Sequence, residues 1–273
     1  MDPVVAALIM GIVQGLTEFL PISSSGHLII VPYLLGITDP FILSLEFSVM
    51  LHIGTLLALL IFFWRDWARL VPAFFATIRD RSIQSDPDRR MAMLLAIATV
   101  PALIAGFLFH GVEDAIREVR VVAIMLVIGA AVLWAADQLG KKSRMTLDLP
   151  ASWAVGIGAA QALALIPGIS RSGISISAGL FAGLRREEAA RFSFLLATPV
   201  TAAAAAYEVL QAVRGEGPPV EALPLAVGLA ASFGFGVLAI SFLLRYLRTH
   251  SVNIFVVYRL ILAAIVFIVW LNV

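Results

Sequence analysis

The stretch Pro21-Ile22-Ser23-Ser24-Ser25-Gly26 interrupts an apolar region that runs from residue 4 to residue 36, and Pro167-Gly168-Ile169-Ser170-Arg171-Ser172-Gly173 interrupts another from 152 to 184. Pro removes a backbone donor, and Gly and Ser favour turns, so each stretch ends one helix and starts the next. The halves are too short to cross a bilayer alone, since the hydrocarbon core asks for roughly 20 apolar residues of helix. Non-helical backbone at membrane depth is tolerated only where protein or a water-filled cavity satisfies it. Both regions therefore read as re-entrant helix pairs folding back at the broken point, and together they imply a polar cavity.

The rest of the chain supports a membrane setting. Of 273 residues 61% are hydrophobic and only 14% charged, where a soluble domain keeps roughly a quarter charged. Full-length spans are predicted near 45 to 64, 91 to 110, 121 to 137, 192 to 212, 222 to 244 and 252 to 271, which makes six crossings. The net charge of +1 excludes a strongly basic nucleic-acid surface, and the absence of cysteine excludes disulfides, thiolate metal sites and cysteine nucleophiles. The start, Met-Asp-Pro followed by apolar residues, lacks a basic n-region and reads as part of the mature fold.

The two broken regions are copies of each other. A gapless offset of 147 aligns identical residues at Gly11, Gln14, Leu16, Ile22, Ser23, Ser25, Gly26, Ile29 and Gly36, and Phe47-Ser48 recurs as Phe192-Ser193 at offset 145. The expected fold is one all-α integral membrane domain over 1 to 273, with internal repeats about 1 to 137 and 148 to 273, each a re-entrant pair plus three spans. Three is odd, so the second copy would be inverted relative to the first. Loops 65 to 90, 138 to 151, 185 to 191 and 245 to 251 hold 14 of the 19 Lys and Arg, against three in loops 111 to 120 and 213 to 223. The positive-inside rule then puts the first four loops in the cytoplasm and both termini outside. The charged runs Arg65 to Arg90 and Arg185 to Glu188 read as solvated loops, and Arg259, about one turn inside the last span, as snorkelling to the cytoplasmic interface.

A half-helix beginning at each Ser-rich tip would aim its free N–H groups and positive dipole end at the meeting point, which makes an anion site. Gly26, Gly168 and Gly173 let a ligand approach the backbone, and Ser23, Ser24, Ser25, Ser170 and Ser172 supply hydroxyl donors. Arg171, deep in an apolar region, needs a partner, either Glu18, an anionic ligand held bidentately, or both in turn. Gln14 and Glu18, four apart on one helix face, can jointly offer oxygens to a hard cation. His27, three residues after Ser24, places an imidazole on the same face as a hydroxyl and makes a nucleophile–base candidate. Glu46 is a further candidate to line the cavity, while His52, Gln161 and Tyr258 carry less information.

The segments Gln14-Gly-Leu-Thr-Glu18-Phe-Leu-Pro-Ile-Ser-Ser-Ser-Gly-His27 and Pro167-Gly-Ile-Ser-Arg171-Ser-Gly173 resemble the bacterial undecaprenyl-diphosphate phosphatases, the membrane family linked to bacitracin resistance. The resemblance extends over essentially the whole chain. Gln14 stands where the family has Glu or Gln, and Ser25 and Ser175 hold positions where Thr is common. It implies hydrolysis of undecaprenyl diphosphate to undecaprenyl phosphate, the lipid carrier of peptidoglycan synthesis. Catalytic roles are expected for Glu18, Ser24, His27 and Arg171. Substrate binding is expected at Ser23, Ser25, Gly26, Gly168, Ser170, Ser172, Gly173 and Ser175. A divalent cation, Mg2+ or Ca2+, would lie on Gln14 and Glu18. The expected partners are a polyprenyl diphosphate lipid and the membrane, with a homodimer as a permitted assembly. The expected location is the bacterial plasma (inner) membrane, with the site opening to the outer, periplasmic face. Two readings stay open. Ser24 attacks with His27 managing its proton, or a metal-activated water attacks with Glu18 as base. Inverted repeats with broken helices also describe secondary transporters and lipid flippases, the rival class, which needs no nucleophile beside a base.

Overall fold

The computed structural model describes residues 1–83, 86–109, 118–214 and 221–271. Among them all regular structure is helical. Helix α1 (Pro3–Phe19) starts where Pro3 fills the first helical position and the Asp2 carboxylate accepts from the N–H groups of Val4 and Val5, and α2 (Ser24–Leu35) follows the first tip. A short α3 (Pro40–Leu43) leads into α4 (Leu45–Phe62), then α5 (Trp64–Asp80), α6 (Pro87–Leu108) and α7 (Val119–Leu139). The second broken region gives α8 (Ala151–Ala162), a 3₁₀ turn over Leu163–Leu165 and α9 (Arg171–Phe181). Three helices close the chain: α10 (Arg186–Val213), α11 (Ala222–Tyr246) and α12 (Asn253–Leu271).

Helices α4, α6, α7, α10, α11 and α12 are long and apolar enough to cross a membrane, at positions within a few residues of the six predicted spans. Their outward residues, Ile61, Phe107, Leu238 and Ile268 among them, are exposed, as acyl chains require of a span. The chain is a multi-pass membrane protein.

One expectation is corrected. Residues 65 to 80 are not loop but most of α5. Arg65, Asp66, Arg69 and Arg79 alternate at helical spacing with Leu70, Phe74 and Thr77, so one face packs on α6 while the charges stay outside. Charge density read as solvation concealed the amphipathic period. The predicted loops 111 to 120 and 213 to 223 lie largely outside the described residues.

The four basic segments meet at one end of the bundle. Arg90 donates to the carbonyls of Leu147 and Leu149, and Thr146 Oγ1 donates to Glu188 at 2.6 Å. Arg191 pairs with Asp66 at 2.6 Å and Arg248 with Glu187 at 3.1 Å. The buried Asp137 takes both forks of Arg186, at 2.6 and 3.0 Å. Segments expected on one side of the membrane are thus tied to one another.

Helix contacts in the two halves use matched glycines. A Cβ on Gly11 would lie 2.3 Å from the Gly228 carbonyl oxygen where α1 meets α11, and one on Gly158 would lie 1.9 Å from the Ala98 carbonyl oxygen where α8 meets α6. Gly11 and Gly158 are 147 positions apart, so the repeat spacing survives as a packing device.

Candidate active site

The two tips have nearly the same backbone. Ser23 sits at φ 74° and Ser170 at φ 76°, a left-handed region that costs a non-glycine residue energy and that turns the chain sharply into the following half-helix. Each caps that helix: Ser23 Oγ accepts from the Gly26 N–H at 3.3 Å, and Ser170 Oγ from the Gly173 N–H at 3.1 Å. The tips touch. Ser172 Oγ donates to the Leu20 carbonyl at 2.9 Å, and a Cβ on Gly26 would come within 3.6 Å of Gly168 Cα.

Arg259 clasps them together. It is fully buried, and its guanidinium donates to the carbonyls of Pro21 in the first tip, Gly168 and Ile169 in the second, and Met125 and Leu126 of α7, at 2.8 to 3.3 Å. The expected snorkelling is therefore corrected. The carbonyls exposed where α1 and the 3₁₀ turn after α8 end have no helical partner, and a buried cation satisfies them better than water at the interface would. Gly129 makes the room, since a Cβ there would strike Arg259 Nη2.

Beside the tips a cavity of about 220 Å³ is lined by Glu18, Ser24, Ser25, Ser48, His52, Gln161, Ser170, Arg171 and Thr201 among mainly apolar residues. Glu18 is its centre. The Arg171 guanidinium donates to Glu18 Oε1, while Ser24 Oγ and Gln14 Nε2, the latter at 3.0 Å, donate to Oε2. His52 Nε2 stands 3.4 Å from the same oxygen, with Nδ1 on the Ser48 carbonyl at 2.7 Å. Arg171 also donates to Thr201 Oγ1 and to the Ala197 carbonyl. Removing one member of such a buried pair leaves an uncompensated charge, at a cost of roughly 3–5 kcal/mol.

Of the residues expected from the sequence, the structure brings Glu18, Ser24, Ser25, Ser170 and Arg171 to the cavity wall. Ser23, Gly26, Gly168, Ser172 and Gly173 build the tips behind it. Ser175 faces Ser193, Oγ to Oγ at 2.6 Å. His27 is turned away: its Nδ1 lies 2.6 Å from the Ser23 carbonyl and its Nε2 2.8 Å from the Tyr258 hydroxyl, with the two rings stacked. The group within hydrogen-bond reach of Ser24 is Glu18. Ser48 and His52, rather than Glu46, carry α4 into the cavity. His52 and Gln161 carry little weight in the sequence and Thr201 goes unread, because each sits in an apolar run; the helical spacing of Ser48 and His52, and the match of Gln161 to Gln14 at offset 147, are the signals that could have found them.

A cation fits the oxygens present within limits. Gln14 Oε1 is buried with no hydrogen-bond partner among the described residues, and Glu18 Oε1 is shared only with Arg171. Mg2+ commonly takes one or two protein oxygens and completes its shell with substrate phosphate and water.

The family description "Bacitracin resistance protein BacA" matches residues 7–265. The chain belongs to this family. Similar relatives include an "Undecaprenyl-diphosphatase" of Rubrobacter xylanophilus, 46% identical over 262 residues that cover 95% of this chain and 96% of the relative. One from Gemmatimonas aurantiaca is 43% identical over 262 residues, covering 96% of each chain. A third, from Thermodesulfovibrio yellowstonii, is 41% identical over 271 residues, covering 99% and 98%. The matched range includes both tips and Arg259.

Proposed function

We propose that this chain hydrolyses undecaprenyl diphosphate to undecaprenyl phosphate and inorganic phosphate, and that Ser24 is the nucleophile. The observation that carries the reading is the Ser24–Glu18–Arg171 cluster on one cavity wall: a hydroxyl already donating to a carboxylate that is itself held by a guanidinium. A phosphoryl oxygen entering the cavity takes Arg171 over bidentately. Glu18, whose Oε2 already accepts from the Ser24 hydroxyl, takes the Ser24 proton. The Ser24 oxygen bonds to the distal phosphorus as the bridging P–O bond breaks, and undecaprenyl phosphate leaves. Water next cleaves the phosphoserine, inorganic phosphate departs, and the proton returns to Ser24. Positioning and charge stabilisation supply most of the catalysis in such transfers.

A divalent cation, Mg2+ or Ca2+, would be held by Glu18 and Gln14 and would supply neutralising charge to the diphosphate. His27, through Tyr258, fixes the first tip rather than the proton. We read the protein as lying in the bacterial plasma membrane, with both termini and the cavity mouth on the outer face and the two halves as inverted copies. The tying of the four basic segments to one end supports this topology.

Phosphate release from undecaprenyl diphosphate by purified protein, with and without chelator, tests the reading; a protein that binds or moves the lipid without releasing phosphate is a transporter. Single cysteines at Ser82 and Ser143 in cells report the topology, which fails if an impermeant reagent labels either from outside.

A further inference from the structure

Gln161 is the one cavity-lining residue whose side chain is idle. It is 3% exposed, yet neither its Nε2 nor its Oε1 has a hydrogen-bond partner among the described residues. Its neighbours in the wall are all engaged: Glu18 with Ser24 and Arg171, Arg171 with Thr201, His52 with Ser48. Buried amides are nearly always bonded, so an idle one facing a cavity points to something the cavity receives.

The repeat says what that is. Gln161 is the counterpart of Gln14 at offset 147, and Gln14 Nε2 donates to Glu18 Oε2, four residues on. The counterpart of Glu18 is Leu165, in the 3₁₀ turn, which offers no carboxylate. The second half keeps the amide and has lost its anion. We infer that Gln161 is a substrate-contacting residue, and that its amide N–H₂ donates to an anionic phosphate oxygen of the diphosphate in the place that a carboxylate fills for Gln14. The inference rests on the phosphatase reading, and it assigns to the second half-helix region a contact with the substrate that Arg171 alone does not exhaust. The residues that follow Gln161 in the cavity lining, Ala162, Ala164 and Leu165, are apolar, so in that stretch the amide is the side-chain hydrogen-bond donor.

The test uses full-length protein in detergent with undecaprenyl diphosphate, and parent turnover is the control: a parent that releases no phosphate refutes the phosphatase reading and not this contact. Gln161→Leu is expected to lower kcat/KM by roughly 10- to 150-fold, the range for one hydrogen bond to a charged group, while its unfolding temperature stays equal to the parent's or rises, because an unbonded buried amide has been removed. Gln161→Glu, the same size but without donors and with added negative charge, is expected to lose more than the leucine variant. Inhibition distinguishes which phosphate is touched: weaker inhibition of Gln161→Leu by inorganic phosphate assigns the distal group, and weaker inhibition by undecaprenyl phosphate the proximal one. The inference is overturned if the leucine variant keeps its KM and both inhibition constants, if it unfolds at a lower temperature with kcat/KM intact, as an interhelical bond would dictate, or if the glutamate variant matches the parent.

Discussion

Ser23 and Ser170 hold the same left-handed backbone, cap the same turn of the next half-helix and stand beside a second hydroxyl, Ser25 and Ser172, at the same spacing. Between each pair of serines the tips part company: the first carries Ser24, bonded to a carboxylate, and the second carries Arg171, whose guanidinium reaches across to that same carboxylate. Two like turns facing each other make a symmetric cradle, whereas the phosphoryl transfer proposed above needs a nucleophile with its base on one side and a cation on the other. The repeat is broken at the columns where that asymmetry is required, 24 against 171 and 18 against 165.

The sharpest way to break this comparison is Ser24→Ala. As the nucleophile, Ser24 is expected to cost roughly 10³-fold or more in kcat when removed, measured with purified protein that still binds substrate. A loss of only 10- to 150-fold, the worth of a hydrogen bond to a charged group, would transfer the attack to water with Glu18 as base. Next in size, Arg171→Ala and Arg171→Lys should both fall by about 10² to 10³-fold, because a point charge does not reproduce a bidentate fork; a lysine variant near parent activity would mean that the second tip contributes bulk charge alone. Chelation is expected to abolish turnover, and Gln14→Leu to raise the cation concentration needed for half-maximal rate by about 10- to 100-fold. Turnover that persists in chelator would remove the cation. The smallest effect belongs to Ser172→Ala, whose hydroxyl bonds the Leu20 carbonyl: about 0.5–1.5 kcal/mol of stability in thermal unfolding, with kcat within a few-fold of the parent. A loss as large as that of Ser24→Ala would make the tips chemically equivalent.

The sequence alone placed the six spans and both broken regions and required a partner for Arg171, because bilayer thickness and the cost of a buried charge leave few alternatives; that Glu18 is that partner came from the structure. It misjudged residues whose partners lie far along the chain. Three-residue spacing suggested His27 for Ser24, but a ring that already meets the Ser23 carbonyl and the Tyr258 hydroxyl points away. His52 and Thr201 reach the cavity only through the packing of α4 and α10 on the tips. The amphipathic period of α5 was masked by its charges.

Arg259 carries a consequence for the order of events during synthesis. The carbonyls it satisfies belong to residues 21, 125, 126, 168 and 169, whereas the guanidinium arrives on α12, after all of them in synthesis. Until α12 enters the bilayer, the carbonyls of Pro21, Gly168 and Ile169 lack this donor. The joining of the two tips therefore waits on α12, and a chain halted before Arg259 is a chain without its clasp.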